Sequence, residues 1–161
     1  MNISSENIEK FEIRGGKKMP NHITNIITYN GDRKHIEKML EDIKIDELGI
    51  GTVDLNKIVP MPDDVYKGNL GRKERELYGN KNWYDWSIAN WGTKWNACDT
   101  VYDAKNKLLQ FNTAWSAPKP IFVEIARANP NAKLEIVYQL EEEDVDVEHV
   151  CYVENGYYYD G

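Results

Sequence analysis

The order in which strand-like and helix-like segments follow one another constrains the fold of this chain more than any single motif. Residues 22–29 are rich in β-branched side chains and end at Asn30-Gly31, which predicts a strand followed by a turn. Asp32 can then cap a helix, because an apolar stripe with spacings of i, i+3, i+4 and i+7 follows it: Ile36, Met39, Leu40 and Ile43. A strand that leads into an amphipathic helix predicts one half of a split βαβ arrangement.

The same change from a strand period to a helix period occurs again further along the chain. Residues 96–103 and 107–115 predict two strands joined by a turn at 104–106. Ser116 is expected to cap the next helix, which has prolines near its start and an inward stripe of Ile121, Phe122, Ile125 and Ala126. Asn129-Pro130 ends that helix, and residues 133–140 alternate as a strand does. Asn155-Gly156 predicts a type I′ turn inside a C-terminal hairpin over residues 148–160.

The segments between these two strand-to-helix units are less regular. An extended segment is predicted within residues 49–62, ended by Pro60 and Pro62 and carrying Val53, Leu55, Ile58 and Val59. Residues 63–81 are predicted to form a polar insertion with a short helix at 73–78. Residues 82–91 are predicted to form a helix that carries Trp83 and Trp86. The full order predicts an α+β fold: a ferredoxin-like split βαβ sandwich with an antiparallel sheet, an inserted Trp-rich helix and a C-terminal β-hairpin.

The first 18 residues lack the patterning of the rest. The segment 14–19, Arg-Gly-Gly-Lys-Lys-Met, can be encoded as a purine-rich bacterial ribosome-binding site placed before a start codon. We therefore expect residues 1–18 to be a mis-annotated leader with Met19 as the native start; the alternative is a flexible N-terminal extension. Residues 19–161 are expected to form a single domain, since 161 residues suit one core better than two.

Composition and charge narrow the compartment and the partners. The chain has no apolar stretch long enough to span a bilayer, no secretory pattern and only two cysteines, which favours a cytoplasmic protein with free thiols. The net charge of −7 disfavours non-specific binding to nucleic acid or to anionic membranes. From Glu135 to the end there are nine acidic residues and no Lys or Arg. This segment is either a solvated edge that resists aggregation, or an acidic surface that docks on a basic partner or imitates DNA.

Tryptophan is concentrated in the middle of the chain. Four of the five tryptophans, Trp83, Trp86, Trp91 and Trp95, lie within thirteen positions, and Trp115 follows on a predicted strand. Most of these rings are expected to build core between the inserted helix and the sheet, because each aromatic side chain can bury roughly 150–250 Å². The alternative is an aromatic-lined binding cleft, whose candidate residues are Trp91, Lys94, Trp95, Asn96, Asp99, Asn112 and Trp115.

Three segments resemble a known family. The runs Trp-Gly-Thr-Lys-Trp-Asn at 91–96 and Thr-Ala-Trp-Ser-Ala-Pro at 113–118, with Met-Pro-Asn-His at 19–22, resemble the YubB-type ferredoxin-like domain family over about residues 19–138. A proline doublet often follows the serine in that family, and here Ala117-Pro118 stands in its place. The resemblance implies a ferredoxin-like fold and a setting in phages, plasmids or other mobile elements, but it supplies no reaction and no catalytic residues. No iron–sulfur cluster is implied, because ligation usually needs four cysteines.

Catalytic, metal and cofactor motifs are not found in the sequence. His22 could approach Asp99 or Asp103, although a structural hydrogen bond is the stronger expectation. His149 and Cys151 share one face of a strand, and two ligands do not make a zinc site.

The sequence thus favours a non-enzymatic accessory protein of a mobile genetic element, a monomer or weak dimer acting through contacts with an unknown protein partner. A nucleic-acid-associated protein is the second hypothesis, which either binds single strands on an aromatic face or inhibits as an acidic DNA mimic. An uncharacterised hydrolase is a third.

Overall fold

The computed structural model of this protein describes residues 21–144 and 146–161, so the expectations for residues 1–18 and for Met19 lie outside it. The described residues form six strands and five helices. The strands are β1 (His22–Asn30), β2 (Cys98–Asp103), β3 (Leu108–Ala114), β4 (Lys133–Leu140), β5 (His149–Glu154) and β6 (Tyr157–Asp160). The helices are α1 (Arg33–Ile43), α2 (Leu55–Ile58), α3 (Arg72–Tyr78), α4 (Trp83–Asn90) and α5 (Lys119–Ala128).

All six strands belong to one sheet with the order β2-β3-β1-β4-β5-β6, and every neighbouring pair is antiparallel. The central strand β1 places Ile27 opposite Leu109 of β3 on one edge and opposite Ile136 of β4 on the other. The predicted α+β class and antiparallel sheet are confirmed. The predicted hairpin is confirmed as well: β5 and β6 are joined by Asn155 and Gly156 with φ of 56° and 81°, as a type I′ turn requires.

One face of the sheet packs against the helices and forms the core. Alternate strand residues on this face, such as Ile23, Phe111 and Val153, are completely buried. The predicted stripes of α1 and α5 are buried in the same cluster, and both helix predictions are confirmed. Burying one such side chain contributes about 1.5–3 kcal/mol, so the cluster supplies the main driving force for the fold.

The extended segment predicted within residues 49–62 is wrong in its centre, where the chain forms the short helix α2. Asp54 caps this helix by accepting a hydrogen bond from the Asn56 amide at 3.0 Å. From a distant loop, Asn96 Oδ1 accepts from the Leu55 amide at 2.8 Å, and Asn96 Nδ2 donates to Asp54 Oδ1 at 2.9 Å. The spacing of the apolar residues in this segment fits the period of a strand as well as that of a helix. These hydrogen bonds favour the helix.

The prediction that Ser116 caps the second long helix is also wrong. Pro118 occupies the N-cap position of α5, with no side-chain cap, and its carbonyl accepts from the Ile121 amide at 2.9 Å. Ser116 instead donates its hydroxyl hydrogen to the carbonyl oxygen of Gly92. Pro120 in the first turn has no N–H that needs an acceptor, so the helix can begin without a polar side-chain cap.

We expect Asn96→Ala to lower the free energy of unfolding by about 1–3 kcal/mol, because the Leu55 amide loses its acceptor while Leu55 stays buried. Denaturant unfolding measures this loss. The control is Asn131→Ala, since Asn131 is exposed and its side chain makes no hydrogen bond within the described residues; a change within about 0.5 kcal/mol is expected there. Equal losses in both variants would contradict the role given to Asn96.

Candidate functional site

The loop between α4 and β2 is fastened to the body of the protein at several points. The buried ring of Trp91 donates from Nε1 to the Val59 carbonyl at 2.8 Å, and Trp86 packs on it edge to face. Thr93 is fully buried and donates from its hydroxyl to the Ala114 carbonyl at 2.7 Å, at the end of β3. The segment 91–96 is therefore a rigid platform rather than a free loop.

Trp115 leaves β3 with a backbone conformation that is unusual for a large residue. Its φ is +68°, and its amide donates to the Asn21 carbonyl at 2.7 Å. Left-handed backbone at a non-glycine residue costs on the order of 1–3 kcal/mol, and such strain is concentrated at functional sites. The turn leaves the Trp115 ring 45% exposed, whereas Trp91 is only 5% exposed.

Two exposed indole rings and one half-buried phenol ring gather around one ammonium group, and we name Tyr84, Lys94, Trp95 and Trp115 the Lys94 cluster. Lys94 Nζ lies 4.5 Å from the ring centroid of Trp95, 4.6 Å from that of Trp115 and 6.0 Å from that of Tyr84. Tyr84 and Trp115 also contact each other edge to face, with centroids 6.4 Å apart. A cation over an aromatic face contributes about 0.5–1 kcal/mol at exposed sites, so these contacts hold the rings in place while Trp95 stays 38% exposed.

Trp115 also lines a cleft of about 470 Å³, together with the side chains of Ile23 and Leu140 and the acidic run 141–143. Each acidic residue has a fixed partner: Glu141 accepts from the His22 amide at 2.8 Å, and Glu142 accepts from Asn21 Nδ2. Glu143 lies 2.9 Å from Nε2 of the His149 ring. These contacts hold three carboxylates beside an exposed indole ring, so the cleft favours cationic groups.

The structure brings only some of the predicted binding residues together. Lys94, Trp95 and Trp115 share the Lys94 cluster, whereas Trp91 is buried and Asn96 is bonded to α2. Asp99 and Asn112 form a separate pair: Asn112 Nδ2 donates to Asp99 Oδ2 at 3.3 Å, at an irregularity in the pairing of β2 with β3.

Tyr84 was not among the binding residues predicted from the sequence, although it directly follows Trp83 at the start of the predicted helix. Sequence reasoning also missed the approach of residues 141–143 to Trp115, which no local pattern shows.

The residues considered for catalysis are engaged in structural contacts. His22 uses its backbone amide for Glu141, and in the described ranges its ring has no hydrogen bond to Asp99 or Asp103. His149 stacks on Tyr138 with centroids 4.9 Å apart. Burial raises the pKa of the Cys151 thiol, which keeps it protonated.

Within residues 21–144 and 146–161, no group of three or more His, Cys, Asp or Glu side chains could hold a metal ion. No helix in those ranges is long and apolar enough to cross a membrane.

Comparison with known proteins gives no match: no family model, no curated protein and no solved structure matches this chain.

Gly92→Ala is expected to destabilise the protein by about 2–4 kcal/mol, because φ is +76° and an added Cβ would lie 2.7 Å from Pro120 Cδ. Gly49→Ala is the matched control: φ is +89° there with no atom within 4 Å of the added Cβ, so only the backbone cost of about 1–2 kcal/mol is expected. Thermal or denaturant unfolding of both variants measures the difference. Equal destabilisation would show that the loop does not depend on its contact with Pro120.

Proposed function

We propose that this chain is a non-enzymatic accessory protein of a mobile genetic element, and that it acts by binding a partner protein through the Lys94 cluster. The observation that carries the proposal is that the rings of Trp95 and Trp115 remain exposed while both contact the Lys94 ammonium. Tryptophan and tyrosine are among the side chains that dominate binding energy in protein interfaces, because rigid rings bury large areas at small entropic cost.

The charge around the cluster supports a basic region of a protein as the ligand. Phosphates of a nucleic acid would meet the carboxylates at 141–143 and a net charge of −7, both of which repel them. A lysine or arginine side chain of a partner can pair with those carboxylates in the cleft beside Trp115, whose ring already contacts the Lys94 ammonium. The cluster thus offers stacking and the cleft offers ion pairs, and both serve binding.

The finer fold and the biological setting belong to the same proposal. The order β2-β3-β1-β4, with α1 and α5 in the two crossovers, supports a ferredoxin-like split βαβ unit that β5 and β6 extend at one edge. The mobile-element setting is supported only by the resemblance of residues 19–22, 91–96 and 113–118 to the YubB-type family. A cytoplasmic monomer or weak dimer fits this proposal.

The test compares a labelled arginine-rich peptide with a labelled oligothymidylate by fluorescence anisotropy. We expect the peptide to bind and salt to weaken it, and we expect Trp115→Ala to raise its dissociation constant at least about tenfold, as for an interface hot spot. Leu77→Ala on α3 is the control, since Leu77 is 69% exposed and lies outside the cluster; its affinity should be unchanged.

Binding of the oligothymidylate that is lost in Trp115→Ala would contradict the proposal and favour the nucleic-acid hypothesis. Absence of binding to the arginine-rich peptide would also contradict the proposal.

A further inference from the structure

A second cavity lies at the end of β1 opposite to the Lys94 cluster. It has a volume of about 410 Å³ and lies between the turn that joins β1 to α1 and the turn that joins β2 to β3. Three cationic side chains line it, Arg33, Lys105 and Lys107, together with the phenol rings of Tyr29 and Tyr102. No carboxylate is among its lining residues, although the chain as a whole carries a net charge of −7.

The cations of this cavity are available to a ligand. In the described part of the chain, the ammonium groups of Lys105 and Lys107 make no ion pair and no hydrogen bond. Arg33 bonds Glu37 through Nε at 2.8 Å, which leaves its two terminal nitrogens unused. The carbonyl of Lys107 accepts from the Tyr29 amide at 3.1 Å, so the lysine turn is fixed against the end of β1.

The two phenols supply a hydrogen-bond donor that has no acceptor. The hydroxyls of Tyr29 and Tyr102 lie 3.2 Å apart, and one donates to the other. Whichever phenol donates, the other keeps a hydroxyl hydrogen that has no partner within residues 21–144 and 146–161; Tyr29 is 7% exposed, and Tyr102 is half-buried. Burial raises the pKa of Tyr29 to about 12, so the phenol keeps its proton well above neutral pH. An oxygen-rich ligand in the cavity would accept this hydrogen.

Helix α1 adds positive potential at the same place. Its first turn contains Arg33, Lys34 and His35 and no acidic residue, while Glu41 and Asp42 lie in its last turn with no basic residue. This distribution is the reverse of what the helix dipole favours, because the N-terminal end is already positive. The Asp32 carboxylate, which caps the helix by accepting from the Lys34 amide at 3.0 Å, offsets part of this positive charge, and an anion bound in the cavity would offset more of it.

We propose that this cavity binds the phosphate group of a small phosphate monoester. The organic part would enter a neighbouring cavity of about 490 Å³, which shares Tyr29, Arg33 and Tyr102 and is lined further by apolar side chains such as Ile36 and Leu40. Glu37 and Glu41 also line this neighbouring cavity and would repel further phosphates, which favours a single terminal phosphate. This site is independent of the Lys94 cluster.

The test is a titration of the ¹⁵N-labelled protein with phenyl phosphate and with inorganic phosphate at constant ionic strength, followed through the amide shifts of Gly31 and Ala104. We expect saturable shifts with a dissociation constant on the order of 1 mM or lower, and tighter binding of phenyl phosphate. Lys105→Gln/Lys107→Gln should bind at least about tenfold more weakly, because two charge-assisted contacts are lost.

The control is Lys73→Gln/Lys81→Gln, which removes the same charge from α3 and the following turn, and its affinity should match that of the unaltered protein. The amide spectra also show whether each variant is folded. Absence of saturation in the unaltered protein, or equal weakening in both double variants, would overturn the site. Equal affinity for the two ligands would overturn the use of the neighbouring cavity.

Discussion

Strand β1 shares hydrogen bonds with β3 along one edge and with β4 along the other, and the rest of the molecule depends on this central position. Its inward residues Ile23 and Ile27 are fully buried beneath the helices. Its two ends place both candidate sites: the Asn21 carbonyl just before it holds Trp115, and the Tyr29 amide near its end holds the lysine turn. One strand therefore fixes the distance between the Lys94 cluster and the cavity lined by Arg33, Lys105 and Lys107.

The elements that the sequence predicted are those whose pattern is local. The stripe of α1 and the Asn155-Gly156 turn could be predicted from short segments, because the spacing of apolar side chains and the φ preferences of a turn depend only on residues close in sequence. Helix α2 and the start of α5 were mispredicted because distant groups decide them: Asn96 satisfies the Leu55 amide, and Gly92 attracts the Ser116 hydroxyl. Contacts over such sequence separations leave no trace in a window of a few residues.

The candidate site, too, could be predicted only as far as local sequence determines it. The sequence pointed to Lys94, Trp95 and Trp115 through their residue types, but it could not separate exposed rings from buried ones. Trp91 and Trp95 are four residues apart, yet one is 5% and the other 38% exposed. They lie at the end of a helix and in an irregular loop, where no period relates position to burial. The acidic run 141–143 reaches Trp115 only because β4 pairs with β1.

The opposed charges at the two ends of β1 have a consequence for encounters in solution. The carboxylates at 141–143 line a cleft at one end, and the cations Arg33, Lys105 and Lys107 line a cavity at the other, so the two openings differ in the sign of their local charge. A charged body that approaches is attracted to one opening and repelled by the other, which favours one orientation before the surfaces touch. This pre-orientation acts over roughly a Debye length, about 10 Å at 0.1 M salt. Basic and anionic molecules would therefore meet the same protein at opposite poles.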